Sequence, residues 1–402
     1  MSEPNERGFY NIDMTDYVHQ KNKPDAKTIA KHIVLFLLTF ASVAFMGGIF
    51  FVGFTGIAES VWELVFWEGF LFAFLLLLFL GTHEFGHYFA AVHHKVEASL
   101  PFFIPLPFLS PIGTVGAVIK IKERITDSIK LYDIGISGPL AGFVVSLCIL
   151  LYGFATLPGP DFLNNFGGHE DLVEYVQSNG QYPENVMAPE GSEIIIFGET
   201  LLYSFIASFF DNVPPMWEMY HYPFLLAGWL GLFFTALNLM PVGQLDGGHI
   251  LYALIGYKKH RLVARVFFVI LMTLGGLAAI PLLALLTDGL LPDGYSISWF
   301  LWSVLAYFLF RKAFYGHPYW TLGAWVISIV TTSLTLLTTD LNLQSGYGVW
   351  LFFAMLILFF VKIEHPPVYF ERDIGKTRRI LGWLTMIIFV LCISPTPFSI
   401  LM

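Results

Sequence analysis

Two histidines and a glutamate form the first stretch of this sequence whose residue types could do chemistry. His83, Glu84 and His87 give the pattern HExxH, and residues 70–80 before it carry no charge. Residues four apart share a helix face, so both imidazoles can bind one Zn²⁺ while the adjacent carboxylate acts as a general base. Ionisable residues in so apolar a segment usually have a function. The pattern predicts a metal site at membrane depth, and the alternative is a buried histidine pair on a packed helix.

An acidic residue in a second apolar stretch offers a third ligand. Asp246 is surrounded by residues that break or bend helices: Pro241, Gly243, Gly247 and Gly248. A carboxylate in such a place needs a cation or strong donors to offset its desolvation, although an Asx turn would also explain the glycines. Two histidines and one carboxylate, with a fourth position open, are typical ligands of a catalytic zinc ion.

The composition indicates a polytopic membrane protein rather than a soluble enzyme with one anchor. Of the 402 residues, 56% are hydrophobic and 13% are charged. Cys148 and Cys392 lie far apart in apolar runs, so neither a disulfide nor a cysteine-based metal site is predicted. We expect a lipid bilayer around the chain and no nucleic-acid partner. The composition leaves the oligomeric state open.

Nine apolar runs are long enough to form helices in or near a membrane. Four of them would position the motifs, at 32–54, 61–92, 128–157 and 223–239, and five follow at 263–286, 298–310, 320–337, 349–363 and 380–393. The third run should begin after Asp127 or Ser128 as N-cap. We expect three regions: a cytosolic tail at 1–31, a core at 32–261, and additional transmembrane helices at 262–402.

The connection between the third and fourth runs is polar. Residues 158–222 contain many acids and no Lys or Arg. Within them the apolar stretch 194–210 is interpreted as an interfacial or partly inserted helix. A full crossing there would put Asp246 on the opposite side of the membrane from His83. We therefore expect 158–222 to be extracytoplasmic.

Three sequence blocks in this order resemble the site-2 proteases, a family of intramembrane zinc metalloproteases. The blocks are the HExxH pattern at 83–87, the glycine-rich segment at 135–142, and Asn-Leu-Met-Pro at 238–241 followed by Leu-Asp-Gly-Gly at 245–248. The resemblance covers roughly residues 60–260. It implies an all-α transmembrane core, here with a small re-entrant β element and extra C-terminal helices. Gly138 and Gly142 in the middle block predict tight helix packing rather than chemistry.

The resemblance also implies an activity and a set of site residues. It implies one Zn²⁺ per chain bound by His83, His87 and Asp246, with Glu84 as the catalytic base. Asn238 would help to hold the substrate near the scissile bond. The expected partner is a transmembrane protein substrate, usually trimmed beforehand on the far side of the membrane.

The residue pattern of segment 99–123 predicts a non-helical backbone close to these motifs. Four prolines between 101 and 111 exclude a helix, and residues 114–122 end in strand-like alternation. We interpret the stretch as a re-entrant loop with a short sheet that lines the active-site cavity, and a cytosolic hairpin is the alternative. An extended substrate could add to this strand, with Gly113, Val115 and Ala117 as binding residues.

The distribution of positive charge predicts a topology. With the N-terminus inside, all 21 Lys and Arg residues fall on or near the cytosolic side. The charged residues in the loops on the other side of the membrane are all acidic. We expect a cytosolic N-terminus and a bacterial plasma membrane.

Three other interpretations remain open. A di-iron oxygenase could use His93 and His94 beside the HExxH pair, but it would need further histidine clusters. A metal transporter would need carboxylates or histidines in the later helices. A protease-like protein without activity is the third, and the intact Glu84 argues against it. Two further histidines, His317 and His365, precede prolines and are interpreted as capping or surface residues.

Overall fold

The computed structural model describes residues 24–52, 62–187, 194–288, 297–339 and 346–401. Most of the predicted N-terminal tail, residues 1–23, lies outside these ranges. Helices dominate the described residues, which confirms the predicted all-α class. The eleven α-helices found there are α1 (Ala26–Val52), α2 (Trp62–His93), α3 (Ser128–Ala155), α4 (Glu170–Asn179), α5 (Leu201–Ala207), α6 (Pro223–Asn238), α7 (Asp246–Leu286), α8 (Ser298–Ala313), α9 (Pro318–Thr338), α10 (Gly348–Leu356) and α11 (Gly375–Cys392).

Several of these helices have the length and composition to cross a membrane. Among the described residues five do so: α1, α2, α3, α7 and α9. The shorter apolar helices Pro223–Asn238 and Gly348–Val361 accompany them. Large apolar side chains such as Phe66, Phe74 and Phe89 of α2 are exposed, as expected for a surface that faces lipid. The chain is a multi-pass membrane protein.

The core is built on α2, which packs against α1, α3 and α6. Of the two predicted N-cap candidates of α3, Asp127 is the cap: its carboxylate accepts hydrogen bonds from the backbone N–H groups of Ile129 and Lys130. Small residues allow α3 and α6 to approach closely, because a Cβ on Gly231 would collide with Ser146. The helices that carry the two motifs are therefore held against one another by α3.

A two-stranded antiparallel hairpin follows α2. Strand β1 (Phe102–Pro105) pairs with β2 (Thr114–Val118), and Phe103 lies opposite Ala117. This confirms the short sheet, although β2 ends earlier than the alternation predicts and only an isolated bridge, Ala98 to Ile121, continues it. The hairpin packs on α1, where Phe36 and Phe103 meet edge to face at 5.1 Å between ring centroids.

The segment 194–210 forms two short elements rather than one helix. Strand β3 (Ile194–Phe197) pairs antiparallel with β4 (Phe398–Leu401), and α5 follows it. The expectation of a single interfacial helix is therefore wrong for the first four residues. The run Ile-Ile-Ile-Phe has high β propensity, and the end of the chain supplies its partner. The predicted boundary between the core, residues 32–261, and the additional transmembrane helices, residues 262–402, stays a prediction.

Candidate metal centre

Helix α2 presents His83 and His87 one turn apart on a buried face. Their Nε2 atoms lie 3.1 Å from each other. The side chains expose only 4% and 8% of their surface. The Nδ1 of His87 donates to the backbone carbonyl of Ile134 on α3 at 2.7 Å. That bond leaves the lone pair of the His87 Nε2 atom free to bind a metal.

Asp246, the first residue of α7, completes the cluster. Its Oδ2 lies 3.5 Å from the Nε2 of His83 and 3.2 Å from that of His87. The three ligand atoms lie within 4.8 Å of one another. Tetrahedral ligands at ~2.0–2.1 Å from Zn²⁺ are about 3.3 Å apart, so the spacing and donor types fit a zinc ion. The structure thus brings together the three residues that the sequence suggests as ligands.

A tight turn between α6 and α7 aims Asp246 at the histidines. Gly243 has a positive φ of 52°, and a Cβ there would collide with the carbonyl oxygen of Lys362. A Cβ on Gly247 would collide with the backbone of Leu239. Only glycine fits both positions without moving the chain, as the glycine pattern predicts.

Glu84 is buried beside the two candidate ligands on α2. Its carboxyl group lies near His87 and Asp246 and accepts a hydrogen bond from the backbone of Ile119. Ile119 directly follows β2, so the end of this strand lies next to the candidate base. The hairpin is therefore part of the site's wall.

The four residues expected to bind substrate lie in different environments. The Nδ2 of Asn238, the last residue of α6, is 3.4 Å from the Nε2 of His83. On β2, Val115 is exposed and Ala117 is buried. Gly113 is already engaged: its N–H donates to Ser110, and its carbonyl accepts from Leu106 N–H and the Ser42 hydroxyl. Its backbone therefore holds the hairpin on α1 and has little left for a substrate strand.

The loop from Lys362 to Ile374 also touches the centre, which the sequence did not suggest. The backbone N–H of Gly243 donates to the carbonyl of Ile363 at 2.8 Å. His365 is buried, and its Nε2 lies 2.9 Å from the Nδ1 of His249, three residues after Asp246. The interpretation of His365 as a capping or surface residue is wrong, whereas His317 is exposed. Contacts between distant segments created this pairing, and no local pattern signals it.

The histidines at the end of α2 do not join the centre. His93 is exposed, and His94 pairs with Asp133 of α3 through a contact of 2.8 Å. Within the part of the chain that the structure describes, no histidine box of the di-iron type surrounds the HExxH pair.

Two glycines of α3 lie directly on the cluster of His83, His87 and Asp246. A Cβ on Gly138 would overlap the imidazole ring of His87, and one on Gly142 would lie 2.9 Å from Phe79 and 3.2 Å from His83. The small-residue face therefore packs against the two histidines that are candidate metal ligands. This agrees with the packing role predicted from the sequence.

Gly138→Ala is expected to displace His87 and to lower zinc affinity by at least about tenfold. This is the smallest loss typical of mutations that disturb the groups around a metal ligand. Metal analysis of the purified variant after dialysis against a graded chelator measures the effect. Gly323→Ala in α9 is the matched control, because nothing lies within 4 Å of a Cβ there. Equal zinc retention in both variants would show that α3 does not constrain His87.

Comparisons with known proteins agree with this geometry. The model described as peptidase family M50 matches residues 71–280, just over half of the chain. The chain is 34% identical over 215 residues to "Probable zinc metalloprotease EGY1, chloroplastic" from Arabidopsis thaliana, which covers 52% of this chain and 34% of that protein. The corresponding protein from Oryza sativa subsp. japonica is 33% identical over 174 residues, covering 43% and 26%.

A second named relative matches over a longer stretch. "Probable zinc metalloprotease EGY2, chloroplastic" from Arabidopsis thaliana is 28% identical over 239 residues, which is 60% of this chain and 35% of that protein. The matches thus span about a quarter to about a third of the length of these curated relatives. No solved structure matches the chain.

Proposed function

The chain belongs to peptidase family M50, and from this premise we propose that it is an intramembrane zinc metalloprotease. It would hydrolyse peptide bonds in or near the transmembrane segments of membrane protein substrates. One observation carries the proposal: His83, His87 and Asp246 converge beside a buried Glu84 within apolar helices. The zinc metalloprotease names of the relatives support it. The described residues offer no arrangement that favours a transporter or an oxygenase.

The proposed chemistry divides the work between the metal and one carboxylate. One zinc ion held at this centre by His83, His87 and Asp246 would polarise the scissile carbonyl and lower the pKa of water toward ~7. Glu84 accepts a proton from the attacking water and passes it to the leaving amine. The Nδ1 contact between His87 and Ile134 keeps that imidazole oriented throughout.

The substrate must be unwound before it can be cut. A transmembrane helix satisfies its carbonyls internally, so a scissile bond becomes accessible only in extended backbone. Among the described residues β2 pairs with β1 alone, which leaves its other edge for an added strand. We propose that Val115 and Ala117 bind the substrate backbone there and that the Asn238 amide contacts it near the metal. The Ile119–Glu84 contact supports this placement.

Strand addition predicts a specific cross-linking pattern. A cysteine at Val115, in a chain whose Cys148 and Cys392 are replaced by serine, should form disulfides with substrate cysteines at every second position. Neighbouring strand residues alternate between the two faces, which gives the period of two. The measurement is a cysteine scan along the substrate, with Glu84→Gln to prevent turnover.

Leu109→Cys is the control for this scan. Leu109 is exposed on the same hairpin but lies between the strands, so its cross-links should be weak and without periodicity. If Val115 and Leu109 gave the same pattern, substrate would not add to β2 and the hairpin would be only a cytosolic element.

We propose a cytosolic N-terminus and an extracytoplasmic location for 158–222. The one-sided distribution of Lys and Arg residues supports this topology. Lys258→Cys should react with a membrane-impermeant maleimide from the cytosolic side, and Glu170→Cys from the other side. Labelling of both from one side contradicts the topology.

The compartment needs a broader proposal than the sequence suggests. The named relatives are chloroplastic, so their names do not support the expected bacterial plasma membrane. We therefore propose an integral membrane protein of unspecified membrane, with a water path to the metal from the side that carries the Lys and Arg residues.

Reconstituted protein provides the direct test of the function. The purified full chain in lipid vesicles should cleave a co-reconstituted single-pass protein, and mass spectrometry should locate the new termini in or beside its apolar segment. A zinc chelator should stop cleavage, and added Zn²⁺ should restore it. Cleavage that persists without metal, or none with any single-pass substrate that carries helix-breaking residues, would overturn the proposal.

A further inference from the structure

A second cluster of two histidines and one carboxylate lies far from the first, in the polar connection 158–222. His169 precedes α4, and Glu218 and His221 lie in the turn that leads into α6. The Oε1 of Glu218 is 3.0 Å from the Nε2 of His169 and 3.5 Å from the Nε2 of His221. Their ligand atoms lie within 4.8 Å of one another.

This cluster has the same donor set and spacing as the first. In both, one carboxylate oxygen lies 3.0–3.5 Å from two imidazole Nε2 atoms. That range brackets the separation of about 3.3 Å between tetrahedral zinc ligands. In the first cluster HExxH spacing puts both histidines on one helix. Here the histidines come from two segments, so no sequence motif signals the cluster.

Burial makes the second cluster costly without a cation. The side chains of Glu218 and His221 each expose only 2% of their surface, whereas His169 exposes 15%. A carboxylate buried to this extent needs a positive partner. Aromatic rings pack on His221: the ring centroids of Phe166 and Tyr220 lie 3.9 and 4.1 Å from that of His221. The opening at His169 would let an ion enter.

Local backbone hydrogen bonds hold the two segments that carry the three candidate ligands. The N–H groups of Glu218 and Met219 both donate to the carbonyl of Pro215, which forms the turn that carries two of the ligands. On the other segment, Val173 N–H donates to the carbonyl of His169 and starts α4 there. Both segments are therefore rigid where they meet, and a metal would need little rearrangement to bind.

Protonation of His169 is the competing explanation. Burial alone would lower the pKa of His169, but the hydrogen bond and the charge of Glu218 outweigh it and raise that pKa. A protonated His169 could thus neutralise Glu218 without any metal. A metal ion would in addition bind His221, whose Nε2 lies 3.5 Å from the same carboxylate oxygen.

We propose that His169, Glu218 and His221 bind a second divalent transition-metal ion, with Zn²⁺ as the best fit to two imidazoles and one carboxylate. The site is structural. It ties α4 and the preceding 3₁₀ helix (Pro160–Asn165) to the start of α6, whose other end carries Asn238. The ion would therefore fix one end of a helix that contributes to the first centre.

Metal counting on the full chain tests this site separately from the first. Purified protein in detergent, dialysed against a mild chelator, should hold about two Zn²⁺ per chain by mass spectrometry of the metals, one for each mononuclear site. His169→Gln and Glu218→Gln should each lower the count to about one, and so should His83→Ala at the other centre. His83→Ala combined with Glu218→Gln should hold none. His93→Gln, a change at an exposed histidine, should keep both ions.

X-ray absorption of the His83→Ala protein identifies the remaining ligands, and it should show zinc bound by imidazole nitrogen and carboxylate oxygen. The site is excluded if His83→Ala holds no zinc, or if His169→Gln holds as much as the unchanged chain. His169→Gln is the decisive variant because its side chain reaches the surface and its replacement should leave the fold intact. Loss of zinc only in the His83→Ala protein would leave the proposed protease centre standing and remove this one.

Discussion

Glu84→Gln is expected to abolish peptide-bond hydrolysis while zinc stays bound. Glutamine keeps the shape of the side chain but cannot accept the proton from water. Proton transfer by a positioned group contributes about 10²–10⁴-fold to rate, and the loss should be at least this large because base and metal act together. The measurement is the rate of cleavage in lipid vesicles with metal analysis of the same sample.

Glu68→Gln is the matched control for this change. Glu68 is a partly buried acid on the same helix, α2, but it lies several turns away from His83. Both variants change a carboxylate into an amide inside the apolar helix, so effects on insertion or folding should be equal. If Glu84→Gln cleaved substrate as fast as Glu68→Gln, the chemistry would not depend on this base.

Asp246→Ala is expected to remove zinc from the first centre and with it all cleavage. Two histidines alone leave the ion with half of a tetrahedral shell. Removing a group that only hydrogen-bonds to a metal ligand already lowers metal affinity by about 10–100-fold. Removing a ligand itself should therefore lower the affinity by more than about a hundredfold. The same loss is expected for His83→Ala and His87→Ala.

The zinc count is best made in a His169→Gln background, so that one centre alone is measured. There the chain should hold about one Zn²⁺, and Asp246→Ala should hold almost none. Gln244→Ala, an exposed position in the same turn, is the control and should keep the ion. Full zinc occupancy and activity in Asp246→Ala would mean that another residue is the third ligand.

The amino-acid sequence by itself determined the elements whose signals are local. HExxH puts His83 and His87 on one helix face because four residues make about one turn. The four prolines between 101 and 111 exclude a helix, and the hairpin β1–β2 forms there. Asp127 caps α3 through its own side chain. In each case the residues responsible are neighbours in the sequence, so the pattern predicts the element without knowledge of the fold.

Tertiary structure alone decided the features that join distant segments. The distances of Asp246 to both histidines depend on α3 holding α2 and α6 together. Pairing with β4 makes a strand of residues 194–197, the first four residues of a predicted helix. His365, predicted to be a capping or surface residue, is buried against His249. The cluster of His169, Glu218 and His221 arises in the same way. Such contacts depend on how the helices pack, and no short stretch of sequence encodes them.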